Sequence, residues 1–236
     1  MEPTRLNKYL VDAGVCSRRE ADRLMEEGRI TVDGRRAVLG QKVTGNEKIF
    51  VDRKPVKKPE SIERVYIAYH KPVGIICTSD PKAKDNIIEA VNYPDGRIFH
   101  IGRLDVASSG LILLTNDGDI VNAILRAEGQ HEKEYIVKVD KDITDEMVTS
   151  LRNGVHIGDD RPTLPAKIMK MGARMFSITI VEGRNRQIRR MCEAVGLNVE
   201  SLKRIRVMGI KLDDIPPGKW RFLTEQETSA LKAALV

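Results

Sequence analysis

The sequence is short of several things, and each shortage removes a class of function. Three cysteines, Cys16, Cys77 and Cys192, are scattered over 236 residues. None belongs to a C-x-x-C pair or lies near a histidine at ligand spacing, so neither a disulfide framework nor a zinc site is supported. They read as small core or surface residues. No apolar run approaches the roughly 18 residues of a membrane span. The start, MEPTRLNKYLVDAG, carries charges where a signal peptide needs an unbroken apolar stretch. A cytoplasmic protein with no membrane partner is expected. There is no G-x-x-x-x-G-K-[ST] loop, no dinucleotide fingerprint and no metal-ligand cluster, so no cofactor and no metal site is expected. Internal repeats and low-complexity tracts are lacking as well.

What remains is a basic globular chain. An apolar fraction of 41% over 236 residues suits one large domain, or a small and a medium one. Forty Lys and Arg against 34 Asp and Glu leave a net charge of +6. The first sixty residues hold 14 Lys and Arg against 10 Asp and Glu, so most of the surplus sits at the front. Such a balance fits a protein that binds a polyanion, because phosphate backbones release counterions when Lys and Arg bind them.

The front reads as a helix from Arg5 to Asp12, then a second helix opened by Ser17-Arg18-Arg19-Glu20. That Ser-x-x-Glu is a capping box, and Gly28 stops the helix. ITVDGRRAV follows as a β-hairpin around Asp33-Gly34. From Val51 the Pro- and Lys-rich VDRKPVKKPESIE reads as an extended linker over about 52–63. The boundary is placed at residue 60, with one domain over 1–60 and another over 61–236. Strand-like runs then occur at 65–70, 74–78, 97–101, 111–115, 134–139 and 176–181. Helices are expected over Asp117 to Arg126, from Thr144 to a stop at Gly154, over about Asn185 to Val195, and from the capping box Thr224-Glu225-Gln226-Glu227. The mixture indicates an α+β fold whose mixed, mostly antiparallel sheet is flanked by helices.

Two basic groups stand out. Arg5, Lys8, Arg18, Arg19 and Arg23 recur in the front helix pair. Arg184, Arg186, Arg189 and Arg190 fall within seven residues at a helix start, where guanidinium groups and the helix dipole favour an anion. Arg186, Arg189 and Arg190 are three and four apart and so share a face, with Ile188, Met191 and Val195 toward the core. Lys203, Arg204 and Arg206 are expected to continue this basic surface. A different question comes from IGRLDVASSGLILLTNDGD (101–119), where a lone acid, Asp105, follows Arg103 and precedes an apolar strand. Asp117 and Asp119 are available for the acid pair a carboxylate-based hydrolase would need, but they do not read as one. Nor does the segment give an EF-hand pattern, and Asn-Asp-Gly-Asp reads as a turn capping the next helix.

The answer comes from family resemblance. HIGRLDVASSGLILLTNDGD resembles the aspartate motif of pseudouridine synthases. HKPVGIICTS (70–79) is similar to their Lys-Pro-x-Gly segment, HEKEYIVKV (131–139) to their Lys-x-Tyr strand, and EGRNRQIRRMCEAVG (182–196) to their Gly-Arg-x-x-Gln-Ile-Arg motif. RLNKYLVDAGVCSRREADRLMEEGRITVDGRRA (5–37) resembles the S4 RNA-binding domain, a small helix-helix-hairpin unit. Together these identify the chain as a member of the RsuA/RluB/RluE/RluF group. Within it, HEKEY, NRQIRRMCE and IPPGKWRFLTEQE look most like the F type. Some F-type relatives carry a basic tail where this sequence ends at Val236, which implies a different affinity or target preference.

The resemblance implies that the chain converts a specific uridine of large-subunit (23S) ribosomal RNA, and also a tRNA anticodon uridine, into pseudouridine without a cofactor. It implies Asp105 as the nucleophile, Tyr135 as the active-site tyrosine and Arg189 as the cation that meets the aspartate. Arg103 would fill the gap left by a flipped base or hold a neighbouring phosphate. Arg5, Lys8, Arg18, Arg19, Arg23, Arg184, Arg186 and Arg190 would bind RNA. A monomer that assembles on RNA is expected. The competing expectation is a non-catalytic S4-type RNA-binding or ribosome-assembly factor.

Overall fold

A computed structural model describes residues 3–59, 62–80, 82–126 and 131–233. These divide into two compact units. The described residues through 65, with 93–99 and 115–118, form the first; 66–92, 100–114 and those from 119 onward form the second.

In the first unit, strand β1 (Thr4–Arg5) leads into helices α1 (Leu6–Asp12) and α2 (Arg18–Glu26). Strands β2 (Ile30–Val32), β3 (Arg35–Arg36), β4 (Lys42–Val43), β5 (Ile49–Val51) and β6 (Lys54–Pro55) follow. Leu6, Tyr9 and Leu10 recur at helical spacing, as do Ala21, Leu24 and Met25, so each helix buries one stripe in a core shared with Ile30, Val43 and Ile49. The Ser17 cap forms as expected, its Oγ accepting from Glu20 N at 3.1 Å. So does the Asp33-Gly34 hairpin, with both turn residues at positive φ.

The expected linker is partly wrong. Residues 51–55 close a second tight hairpin, with Val51 paired to Lys54 across Asp52 and Arg53. No glycine advertises this turn. Asp52 and Arg53 both take positive φ, and Arg29 grips the Asp52 carboxylate with two hydrogen bonds of 2.7 and 2.6 Å. Pro55 is tolerated because β6 is an edge strand.

The second unit contains β7 (Tyr66–Lys71), α3 (Ile87–Val91), β8 (Phe99–Ile101), β9 (Ser109–Thr115), α4 (Gly118–Arg126), β10 (Lys133–Val139) and α5 (Asp145–Asn153). Then come β11 (Lys167–Gly172), β12 (Met175–Ile180), α6 (Gln187–Ala194), β13 (Val199–Val207), β14 (Ile210–Lys211), β15 (Trp220–Phe222) and α7 (Glu225–Ala233). Among the described residues the main sheet runs β11-β12-β10-β13-β9-β7-β15, with β14 beside β13 and β8 beside β9. The β13–β9 pair is parallel, whereas β10 pairs antiparallel with both β12 and β13. The α+β, mixed-sheet expectation therefore matches. Thr144 and Thr224 cap their helices through hydrogen bonds from Met147 N (3.3 Å) and Glu227 N (3.1 Å).

The run 74–78 is not a strand. It is a loop whose ladder pairing is limited to an isolated bridge, Ile76 to Asn86. The Lys71 side chain folds back on the loop, donating to the carbonyls of Pro72 (2.8 Å) and Ile75 (2.9 Å), and Gly74 turns the chain at φ 97°. Sequence periodicity also missed β11, β13, β15 and α3. In β13 the charges of VESLKRIRV mask a strand that buries Leu202, Arg204 and Val207.

Candidate active site

Asp105 lies on the loop from β8 to β9. Ser108 N donates to Asp105 O at 3.0 Å, closing a tight turn. Neighbouring segments hold this turn from outside. Leu104 N donates to Cys77 Sγ at 3.4 Å and Gly74 N donates to Val106 O at 2.9 Å, tying the turn to the loop after β7. The Asp105 side chain makes no hydrogen bond or ion pair with any described residue.

The turn must end in glycine for a steric reason. Gly110 has φ 110°, and a Cβ there would collide with the backbone of Arg204 on the parallel neighbour β13. Gly110 thus lets β13 approach closely, and β13 in turn delivers Leu202 and Arg204 to the wall of the cavity that Asp105 lines. The cavity measures about 790 Å³, within the range of small-molecule sites. Its polar lining includes Asp105, Arg103, Tyr135, Lys133, His100 and Arg204; Leu113, Ile180, Leu202 and Val207 give it an apolar floor.

Tyr135 is 7% exposed and stands on β10 between Ile178 of β12 and Arg204 of β13. The guanidinium carbon of Arg204 sits 6.0 Å from its ring centroid. Arg103 is exposed, lines the same cavity and has no carboxylate partner among the described residues.

Arg189 does not make the aspartate pair that the resemblance implied. It is 8% exposed and donates to Ala107 O (2.9 Å), Ser108 Oγ (3.5 Å) and Val199 O (3.2 Å). Its guanidinium therefore braces the backbone immediately behind Asp105 rather than lining the cavity. The shared arginine face also fails. Arg186 is the left-handed N-cap of α6 and is exposed, Arg189 points inward, and Arg190 is tied to Asp159 at 2.5 Å and to the Ile157 carbonyl. Arg190 holds the Asp159 carboxyl below the usual carboxylate range. Arg184 is held by the carbonyls of Arg161 and Pro162, both at 2.8 Å, and by the buried Glu182 carboxylate at 3.1 Å.

The expected continuation of the basic surface is likewise corrected. Arg204 is 4% exposed, and Arg206 is paired with Glu132 at 3.0 Å and Glu134 at 2.8 Å. In the first unit Arg5, Arg18 and Arg19 are exposed and have no ion-pair partner among the described residues, whereas Lys8 bonds Asp12 at 2.8 Å and Arg23 bonds Glu20 and Glu27 at 2.6 and 2.7 Å.

Sequence reasoning overlooked several neighbours of the site. Lys71 is fully buried; burial pulls its pKa down, and Cys77 and Asp105 oppose that pull. Burial pushes the Cys77 thiol up and the His100 imidazole down. His100 Nδ1 lies 2.8 Å from Gly102 O. Strand alternation could have placed Arg204 inside, had β13 been recognised.

The description RNA pseudouridylate synthase belongs to the family model that matches residues 65–194, and an S4 domain model matches residues 4–49. The chain belongs to the RNA pseudouridine synthase family. It is 49% identical over 224 residues to the dual-specificity RNA pseudouridine synthase RluF of Salmonella typhi, covering 95% of this chain and 77% of that protein. It is 37% identical to the ribosomal large subunit pseudouridine synthase B of Bacillus subtilis, covering 97% and 96% of the two chains. A crystal structure of a pseudouridylate synthase superposes with a TM-score of 0.69 at 28% identity, covering 96% of this chain and 99% of the other. The synthase fold, an S4 domain and an RNA-modifying activity follow.

Proposed function

We propose that this synthase isomerises a uridine of large-subunit ribosomal RNA, and also a tRNA uridine, with Asp105 as the reacting carboxylate. The observation that carries the reading is the Asp105 side chain. It is held in a braced turn, without a hydrogen bond or ion pair to any described residue, in a cavity it shares with Tyr135. The names of the relatives, one dual-specificity and one ribosomal large subunit, support more than one RNA target and a large-subunit ribosomal one; the tRNA target rests on the family resemblance alone.

The target nucleotide must leave its stack to reach this cavity. Arg103 and Arg186, both exposed at the cavity, suit the phosphates on either side. Tyr135 offers a flat face on which the detached uracil stacks while it turns. Arg189 acts as a positioning residue: by holding the carbonyl of Ala107 it fixes the turn that aims Asp105. Arg5, Arg18 and Arg19 of the S4 domain add sequence-independent phosphate contacts. The division near residue 60 separates this binding domain from the catalytic one, and the synthase works as a cytoplasmic monomer.

RNA transcripts labelled with tritium at uridine C5 test the reading. The expected result is stoichiometric tritium release from ribosomal or transfer RNA. Release from neither would favour a binding-only role for the chain.

A further inference from the structure

Arg184, Arg190 and Arg206 each meet a carboxylate. Two buried arginines, Arg189 and Arg204, meet none among the described residues; Arg189 is turned to Ala107, Ser108 and Val199 away from the cavity, whereas Arg204, at 4% exposure, lines it. Its Nε donates to Leu111 O at 2.7 Å, and its two terminal amino groups have no described acceptor. A buried guanidinium without a counter-charge is costly, and such uncompensated groups concentrate where a ligand completes them.

Its position restricts what that ligand is. The backbone of Arg204 is locked between Tyr135 of β10 and Gly110 of β9. Its side chain lines the cavity with Asp105 and lies over the Tyr135 ring. An RNA phosphate has exposed cations to meet in Arg103 and Arg186; the part of the substrate that enters this deep is the base. We propose that Arg204 is a further catalytic residue, its free amino groups binding a carbonyl oxygen of the uracil as the base departs. The inference rests on the uridine-isomerising role of Asp105 given above.

The chemistry calls for such a group. When the C1′–N1 bond breaks, its electron pair stays on the base and the charge spreads over N1, O2 and O4. Asp105 meets the deficit at the sugar, either by bonding C1′ or by taking the C2′ proton, which is later returned. The base turns, and C5 bonds C1′ as any bond to Asp105 is released. The C5 proton leaves to solvent and the former N1 takes one up, so no oxidant or co-reactant is needed. A fixed guanidinium fork stabilises the anion between these events without giving up a proton.

Single-turnover tritium release, RNA affinity and melting temperature, measured for wild type and Arg204→Met, →Lys and →Ala, test this. The Met variant should bind RNA within about threefold of wild type yet react at least about 100-fold more slowly, the scale of losing one preorganised donor. Lys should recover part of the rate, since it keeps the charge but not the fork. Added guanidinium ion, at millimolar concentration, should accelerate Arg204→Ala and leave wild type and Met unchanged, an effect a framework role would not produce. A Met variant at full rate would overturn the inference while leaving Asp105 catalysis standing. So would a rate loss matched by lost affinity without rescue, or failure of all three variants to fold. A wild type that releases no tritium would remove the Asp105 reading, and this inference with it.

Discussion

Asp105 owes its placement to residues that never touch its carboxyl group. Cys77 and Gly74 hold the neighbouring backbone from one side, and Arg189 holds Ala107 and Ser108 from the other. One guanidinium fork serves three acceptors here, so Lys is a poor replacement. Arg189→Lys should lower kcat by about 10- to 100-fold, as small misplacements of a reacting group do. It should also cost about 1–3 kcal/mol of stability from carbonyls left unpaired. Steady-state kinetics and urea unfolding check both, and unchanged kcat would show that the turn holds without Arg189. At this scale the family resemblance named Asp105, Tyr135 and Arg103 together, and all three line the same cavity. The direction of Arg189, the burial of Arg204 and the closeness of Lys71 were not legible, since each depends on packing between distant segments.

Among the elements, the close passage of β13 past Gly110 sets the geometry of the site. Gly110→Ala combines an unfavourable φ with a clash against the Arg204 backbone. It should destabilise the protein by about 2–5 kcal/mol, and the urea midpoint measures this. An unperturbed midpoint would mean that the two strands separate at little cost. Elements with strong local signals were readable: the Ser17, Thr144 and Thr224 caps and the Asp33-Gly34 hairpin all formed where the residues announced them. The Asp52-Arg53 hairpin was hidden because non-glycine residues fill its positive-φ positions. β13 was hidden because four of its nine residues are charged. The run 74–78 looked like a strand by composition, but the Lys71 ammonium and Gly74 bend it away from the sheet.

For the whole molecule, charge and titration give two further expectations. Arg18 and Arg19 are exposed on the S4 domain, with no ion-pair partner among the described residues. Replacing both with Ala should weaken RNA binding and flatten the dependence of log affinity on log salt by about 1.5, while single-turnover rate at saturating enzyme stays the same. An unaltered slope would mean that neither side chain meets a phosphate. His70, His100 and His131 all have pKa values pulled down, chiefly by burial. In the unfolded chain they protonate near 6.5, so as pH falls below that value the unfolded state takes up protons that the folded state resists. Stability contributed by their neutral forms is present above pH 6.5 and is lost as pH falls toward their folded pKa values. The melting temperature should therefore drop between pH 7.5 and 5.5, and a flat profile over that interval would contradict their depressed pKa values.

In the proposed function the Asp105 carboxylate carries out the isomerisation. Mapping pseudouridines in ribosomal and transfer RNA treated with wild type or with Asp105→Asn tests it most directly. At least one new pseudouridine is expected with wild type and none with the variant, although both bind the RNA equally. Equal modification by the Asn variant would contradict it.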